Sequence, residues 1–155
     1  MSHQKGFTLV ELLVVIAIIG VLASVVLVGF PGVTKKAKDG RLKASMAQMR
    51  TLMASAFDGY GNYDNFSTTS EDMGPLVNDV QKNSFGNTYS LVKAPLSSSD
   101  SVCAFAPLNE QNGATWYCVD SLGHAGTTDI DPATTSVDYC SDIANPVVCP
   151  PIVSD

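Results

Sequence analysis

Residues Phe7 to Phe30 form a run of 24 positions in which the only charge is Glu11. As a helix rising about 1.5 Å per residue, the run covers roughly 36 Å, enough to cross a hydrocarbon core of about 30 Å. The rest of the chain is polar and rich in Ser, Thr, Asn, Asp and Gly. The 155 residues therefore read as an apolar arm followed by a small globular part. A part of about 100 residues buries one modest core and benefits from covalent staples.

The run does not fit an ordinary secretory signal. It is longer than the roughly 7–15 residues of a typical apolar region, and no Ala-x-Ala site leads into polar sequence. A plain anchor fits the length but leaves Glu11 unexplained. A carboxylate in an apolar span costs several kcal/mol unless it is paired, so it marks function, unless it snorkels to the headgroups. Lys5 precedes the run, and Lys35, Lys36 and Lys38 follow it. That pattern is mixed under the positive-inside rule, but the short Met1–Gly6 stub makes the N-in topology simpler.

The stretch Lys5-Gly6-Phe7-Thr8-Leu9-Val10-Glu11-Leu12-Leu13-Val14-Val15-Ile16-Ala17-Ile18-Ile19-Gly20-Val21-Leu22-Ala23 resembles the class III signal of type IV prepilins and type II secretion pseudopilins. The resemblance covers about 20 residues and is specific. It implies that Lys5 is the basic residue of the leader. Gly6 is then the last leader residue before the prepilin peptidase cut, and Phe7 the new, N-methylated terminus. It further implies that Glu11 meets the Phe7 ammonium during assembly. Physical chemistry favours that pairing, because an amine beside a carboxylate neutralises two charges that an apolar bundle does not tolerate singly. The resemblance carries an α+β pilin-like fold: a long N-terminal helix on a small antiparallel sheet, with a disulfide-bonded C-terminal loop.

The expected divisions are a leader at 1–6, a transmembrane and polymerisation segment at 7–30, an amphipathic helix half at 31–58 and a β-rich domain at 59–155. Gly29-Phe30-Pro31-Gly32 weakens helix, so a break is expected there. Leu42, Met46, Met49, Met53 and Phe57 recur at spacings of three and four, which predicts an apolar stripe packed on a sheet. Asp58 to Asn62 carries strong stop signals. Residues 60–82 read as a connection with a short helical turn from Ser70 through Val80. Thr88–Lys93, Ser101–Ala106 and Ala114–Val119 alternate or are rich in β-branched and aromatic residues, which predicts an antiparallel meander.

Cys103, Cys118, Cys140 and Cys149 all lie in the last third. Behind an export-type segment, four cysteines read as two disulfides in an oxidising compartment. A zinc site is the rival; there is no CxxC pair and only His124 lies nearby. Three connectivities are open, and the short loops favour Cys103–Cys118 with Cys140–Cys149. The first pair sets a hairpin centred on Glu110–Gln111, whereas an Asn112-Gly113 turn puts Cys103 opposite Leu122. Pilins often close a C-terminal loop by a disulfide, which Cys140–Cys149 resembles.

Six of the nine basic residues lie between Lys35 and Arg50, and eight carboxylates follow Lys93 without a basic residue. This asymmetry suits electrostatic contact between subunits or two solvated faces. The basic residues lack the aromatic interleaving of a single-strand nucleic-acid platform and sit near the expected membrane surface, so nucleic acid is not the expected partner. Major pseudopilins hold calcium in an acidic loop. Asp129 and Asp131 are the candidate ligands here, beside Asp120, Asp138 and Asp142, but Asp129-Ile130-Asp131-Pro132 is no EF-hand loop and surface solvation is the plainer reading. No cofactor is expected. P-loop, HExxH and Gly-x-Ser-x-Gly motifs are absent, so an exported enzyme is only a distant rival.

The expected function is that of a structural, non-enzymatic subunit of a type IV pilus-like filament, with a type II secretion pseudopilin as the alternative and a membrane-anchored exported binding domain or enzyme as a more distant one. Its partners would be copies of itself or other pilins, the prepilin peptidase, the inner-membrane assembly machinery and, before assembly, the membrane. It would sit in the cytoplasmic membrane, N-in, and then in an extracellular pilus or periplasmic pseudopilus.

Overall fold

A computed structural model describes residues 6–28, 30–63, 66–94, 100–133, 139–140 and 148–153. The chain forms two compact units, Met1–Thr34 and Lys35–Asp155. In the first unit, α1 spans Leu9–Val28. Leu9–Val26 is apolar and long enough to cross a membrane. The helix α2 then spans Phe30–Tyr60. Position 29, where the expected break begins, lies outside the described residues. The rest of that stretch, Phe30, Pro31 and Gly32, is helical within α2.

The second unit is built on α2. Leu42, Met46, Met49 and Met53 are fully buried, as their spacing predicts. Phe57 is the stripe's outlying member: it is exposed and packs its ring 5.4 Å from that of Tyr63. The helix stops where predicted, with the Gly61 N–H donating to Phe57 O at 2.7 Å. The region read as a connection contains more helix than expected, α3 over Met73–Asn83. Its Met73 and Val80 join the same core.

Four strands follow: β1 (Ser90–Ala94), β2 (Ser101–Pro107), β3 (Trp116–Asp120) and β4 (Ala125–Thr128). They form an antiparallel meander in the order β1-β2-β3-β4. The sequence pattern predicts the first three to within two residues. It does not predict β4, whose Ala-Gly-Thr-Thr sequence is short and weakly apolar. One face of the sheet puts Val102, Ala104, Ala106 and Val119 against the α2 and α3 residues. The other face carries Cys103, Phe105 and Cys118, packed with Cys140, Cys149, Val92 and Trp116. Both faces are covered, so Ser101 to Ala106 are all buried.

The expected hairpin register is corrected. Cys103 lies opposite Asp120, and Cys118 opposite Phe105, so the hairpin is centred between Gln111 and Asn112. Leu108 N–H donates to Thr115 O at 2.8 Å and closes a six-residue loop. Asn112 and Gly113 both have positive φ, 53° and 82°. A Cβ on Gly113 would also overlap the Phe85 ring, so glycine is required there on two counts.

Candidate functional site

At the start of α1, Thr8 and Glu11 cap the helix reciprocally. Glu11 Oε2 accepts from the Thr8 N–H at 2.8 Å and from its hydroxyl at 2.7 Å. The Glu11 N–H donates to Thr8 Oγ1 at 3.3 Å. This is a capping box, in which a Thr side chain and a Glu three residues on satisfy donors that the first turn otherwise leaves free. Reading Glu11 only as a charge awaiting a partner overlooks Thr8, although Thr8-Leu9-Val10-Glu11 ahead of an apolar run is the sequence signature of such a box. Gly6, Phe7 and Glu11 are all exposed, Phe7 by 79 %. Lys5 lies outside the described residues.

The cysteines form two disulfides, but not in the favoured pairing. The bonds are Cys103–Cys140 and Cys118–Cys149, with Cα separations of 5.6 and 5.8 Å. The register explains the correction. Side chains alternate along a strand, so Cys103 and Cys118 share a face but stand two residues out of step. Each reaches outward to the C-terminal segment that covers that face. The two bonds close separations of 37 and 31 residues, rather than two short loops.

A buried carboxylate sets this end of the sheet. Asp120 is fully buried. Its Oδ1 accepts from the N–H groups of Leu122 and His124 at 3.0 and 2.8 Å. Its Oδ2 accepts from His124 Nδ1–H at 2.8 Å and from the Cys149 N–H at 2.9 Å. Asp120 thus ties the β3–β4 turn to the C-terminal segment. The neighbouring Ser121 Oγ accepts from the Val102 N–H at 3.1 Å. Asp120, Ser121 and His124 therefore serve a strand end.

Most of the basic residues of α2 have partners in their own unit. Lys35 Nζ donates to Asn112 Oδ1 at 2.7 Å, and Lys36 lies 3.4 Å from Glu110. Close by, the buried Asp39 carboxylate accepts from Asn109 N–H, Asn109 Nδ2 and Glu110 N–H at 2.7, 2.8 and 2.9 Å. Arg41 pairs with Asp79 on α3 at 2.7 Å. Burial pushes the Asp79 carboxyl up, but hydrogen bonds from Ser45 and Arg41, with the charges of Arg41 and Lys82, outweigh it and hold its pKa below the ordinary value. Lys43 sits 5.6 Å from the centroid of the Tyr117 ring, and Arg50 donates to Gly123 O at 3.0 Å. Five of the six basic residues thus hold the sheet, its loops and α3.

Asp129 and Asp131 follow β4, and Asp131 Oδ1 accepts from the Ala133 N–H at 2.9 Å. Among the described residues they belong to no cluster of three or more carboxylate, histidine or cysteine side chains. Asp138 and Asp142 lie outside the described residues.

A family model described as the prokaryotic N-terminal methylation motif matches residues 1–27. The type IV wide pilus major component PilA4 of Thermus thermophilus is 32 % identical over 117 residues, covering 76 % of this chain and 82 % of the relative. The type IV major alpha-pilin of Moraxella bovis is 42 % identical over 60 residues, 38 % of each chain. The type IV major fimbrial protein FimA of Dichelobacter nodosus is 38 % identical over 66 residues, 42 % of each. No solved structure matches. The motif at the N-terminus, the helix that follows it, the antiparallel sheet and a relative aligned over most of its length agree: the chain belongs to the type IV pilin family.

Proposed function

We propose that this chain is a structural subunit of a type IV pilus. It enters the cytoplasmic membrane N-in and is cut by the prepilin peptidase between Gly6 and Phe7. The Phe7 amine is then methylated, and inner-membrane machinery assembles the mature chain with other pilins into an extracellular filament. The reading is carried by the surface of α1. Every side chain from Phe7 to Val26 is exposed, and nearly all are apolar. Such a helix needs lipid or other helices around it.

The second unit offers a matching surface. Opposite the buried stripe of α2, the exposed positions Ala37, Gly40, Ala44, Ala47, Thr51 and Ala54 are small and uncharged. Small residues let helix backbones approach closely. The relatives are named as pilus and fimbrial subunits, and no feature of the described residues favours the pseudopilin alternative.

In this reading Glu11 leaves or shares its Thr8 cap to meet the Phe7 amine of a neighbouring subunit. The test is shearing of surface filaments, electron microscopy and mass spectrometry of the subunit. A filament protein that begins with N-methylated Phe7 is expected. Glu11→Ala is expected to be cleaved normally and to assemble poorly; unchanged filaments from that variant would remove the role given to Glu11.

A further inference from the structure

Arg41 and Arg50 stand about two and a half turns apart on α2, so they point to opposite sides of the helix and differ in height along it by about 14 Å. Arg41 pairs with Asp79 on α3, and Arg50 bonds to Gly123 in the β3–β4 turn. α3 thus flanks one side of α2, and the β3–β4 half of the sheet flanks the other. Each side carries charge at both heights. On the α3 side, Glu71 and Asp72 stand at the height of Arg50, where Asp72 lines a recess with Thr51 and Leu52. Lys82 stands at the height of Arg41, with which it lines a cleft, and Lys38 lies one turn before Arg41. On the β4 side the signs are inverted. Arg50 occupies the upper height. Asp129 occupies the lower one, two residues beyond Thr127, which pairs with Tyr117, the ring under Lys43. Glu71, Asp72, Lys38, Lys82, Arg50 and Asp129 are all exposed. Apart from Arg50, each is also outside the ion pairs formed among the described residues, whereas Lys36, on the Arg50 side, has Glu110 beside it.

We propose that the Lys35–Asp155 units of neighbouring copies meet side by side through these two faces. Glu71 and Asp72 of one copy face Arg50 of the next, and Lys38 and Lys82 face Asp129 of that same copy. The proposal rests on the filament reading above and names the contact between its subunits. Copies that point the same way keep their heights, so both sets of opposite charges meet in a single lateral contact. The two faces are different surfaces of one chain, so the contact does not close on itself and extends into an open array. An exposed ion pair contributes little singly. Here the charges recur at every contact of the array, and like charges brought opposite one another are unfavourable at every contact.

The test compares sheared surface filaments from cells making the native or a charge-reversed full chain. Lys38→Glu with Lys82→Glu is expected to lower the filament yield at least about tenfold through like-charge contact with Asp129. The cellular level and melting temperature of the detergent-solubilised chain are expected to stay unchanged. Adding Asp129→Lys is expected to restore the yield to within about threefold of native, because the pair is then reversed on both faces. Glu71→Lys with Asp72→Lys is expected to lower the yield comparably, and Asp129→Lys is expected not to rescue it. Native yield from either double variant, failure of Asp129→Lys to restore the first, or rescue of both by Asp129→Lys would overturn the proposal and leave the filament reading standing. A native chain that yields no filaments would overturn both.

Discussion

The Asp39 carboxylate on α2 accepts both the backbone N–H and the side-chain amide of Asn109, 70 residues away, at 2.7 and 2.8 Å. Both residues are buried, at 4 and 8 % exposure. With a third bond to the Glu110 N–H, this is the polar lock between helix and hairpin. Asp39→Ala leaves three donors without their acceptor, and the expected loss is about 2–4 kcal/mol. Lys36→Ala removes only the neighbouring ion pair, whose side chains are 71 and 52 % exposed, so it should cost well under about 1 kcal/mol. Thermal unfolding of the Lys35–Asp155 unit compares the two; equal losses would show that the lock is not the buried carboxylate.

What can be read in the sequence follows from how local each feature is. Leu42, Met46, Met49 and Met53 declare their face because helical periodicity repeats every turn. Glu11 declares itself as a charge in an apolar run. Its partner Thr8 is equally readable, three residues away, once the pair is seen as a cap rather than as a lone charge. Asp39 and Asn109 are not readable, because no local rule links residues 70 apart. The disulfide pairing is hidden for a related reason. A two-residue shift of the hairpin takes Cys103 from Cys118 to a place opposite Asp120, and loop composition does not determine loop length to that accuracy.

Asp79 makes the stability of the unit depend on pH at the acid end. Its folded pKa lies below the ordinary value of 3.8, because Ser45 and Arg41 bind the charged form more than burial opposes it. A group depressed on folding contributes stability that is fully present above its unfolded pKa. That stability is lost as pH falls through the folded pKa. The melting temperature of the native unit should therefore exceed that of Asp79→Asn near pH 6, and the gap should close as pH falls below about 3.8. A gap that stays constant down to about pH 2 would assign the effect to packing rather than to the charge.

Tyr89 is an unforced cost. Its hydroxyl is buried without a hydrogen-bond partner among the described residues, and burial pushes its pKa up. The ring packs on the main core. Tyr89→Phe keeps the ring and removes the orphaned polar atom, so it should stabilise the unit by roughly 1 kcal/mol. Chemical denaturation at neutral pH measures this directly; a loss of stability would mean that the hydroxyl has an acceptor, such as an ordered water.

Gly126 and Ile152 form the contact that seats the C-terminal segment on β4. Gly126 stands opposite Cys118 on β3, and a Cβ placed there would overlap Ile152 Cγ2. One residue on, the Val153 N–H donates to Thr127 O at 2.8 Å. The segment thus pairs with the outer side of β4, while the Cys118–Cys149 bond secures it a few residues earlier. Gly126→Ala must push Ile152 off the strand, and the overpacking should cost about 1–3 kcal/mol. Ile152→Ala removes a side chain that is already 42 % exposed, so its own cost should be smaller. In the Ile152→Ala background the three atoms nearest to the added methyl group are gone, so Gly126→Ala should cost much less. The coupling energy from this double-mutant cycle should therefore be favourable and a large part of the cost of Gly126→Ala alone. Additive effects would place the strain of the methyl group added at position 126 elsewhere than on the C-terminal segment.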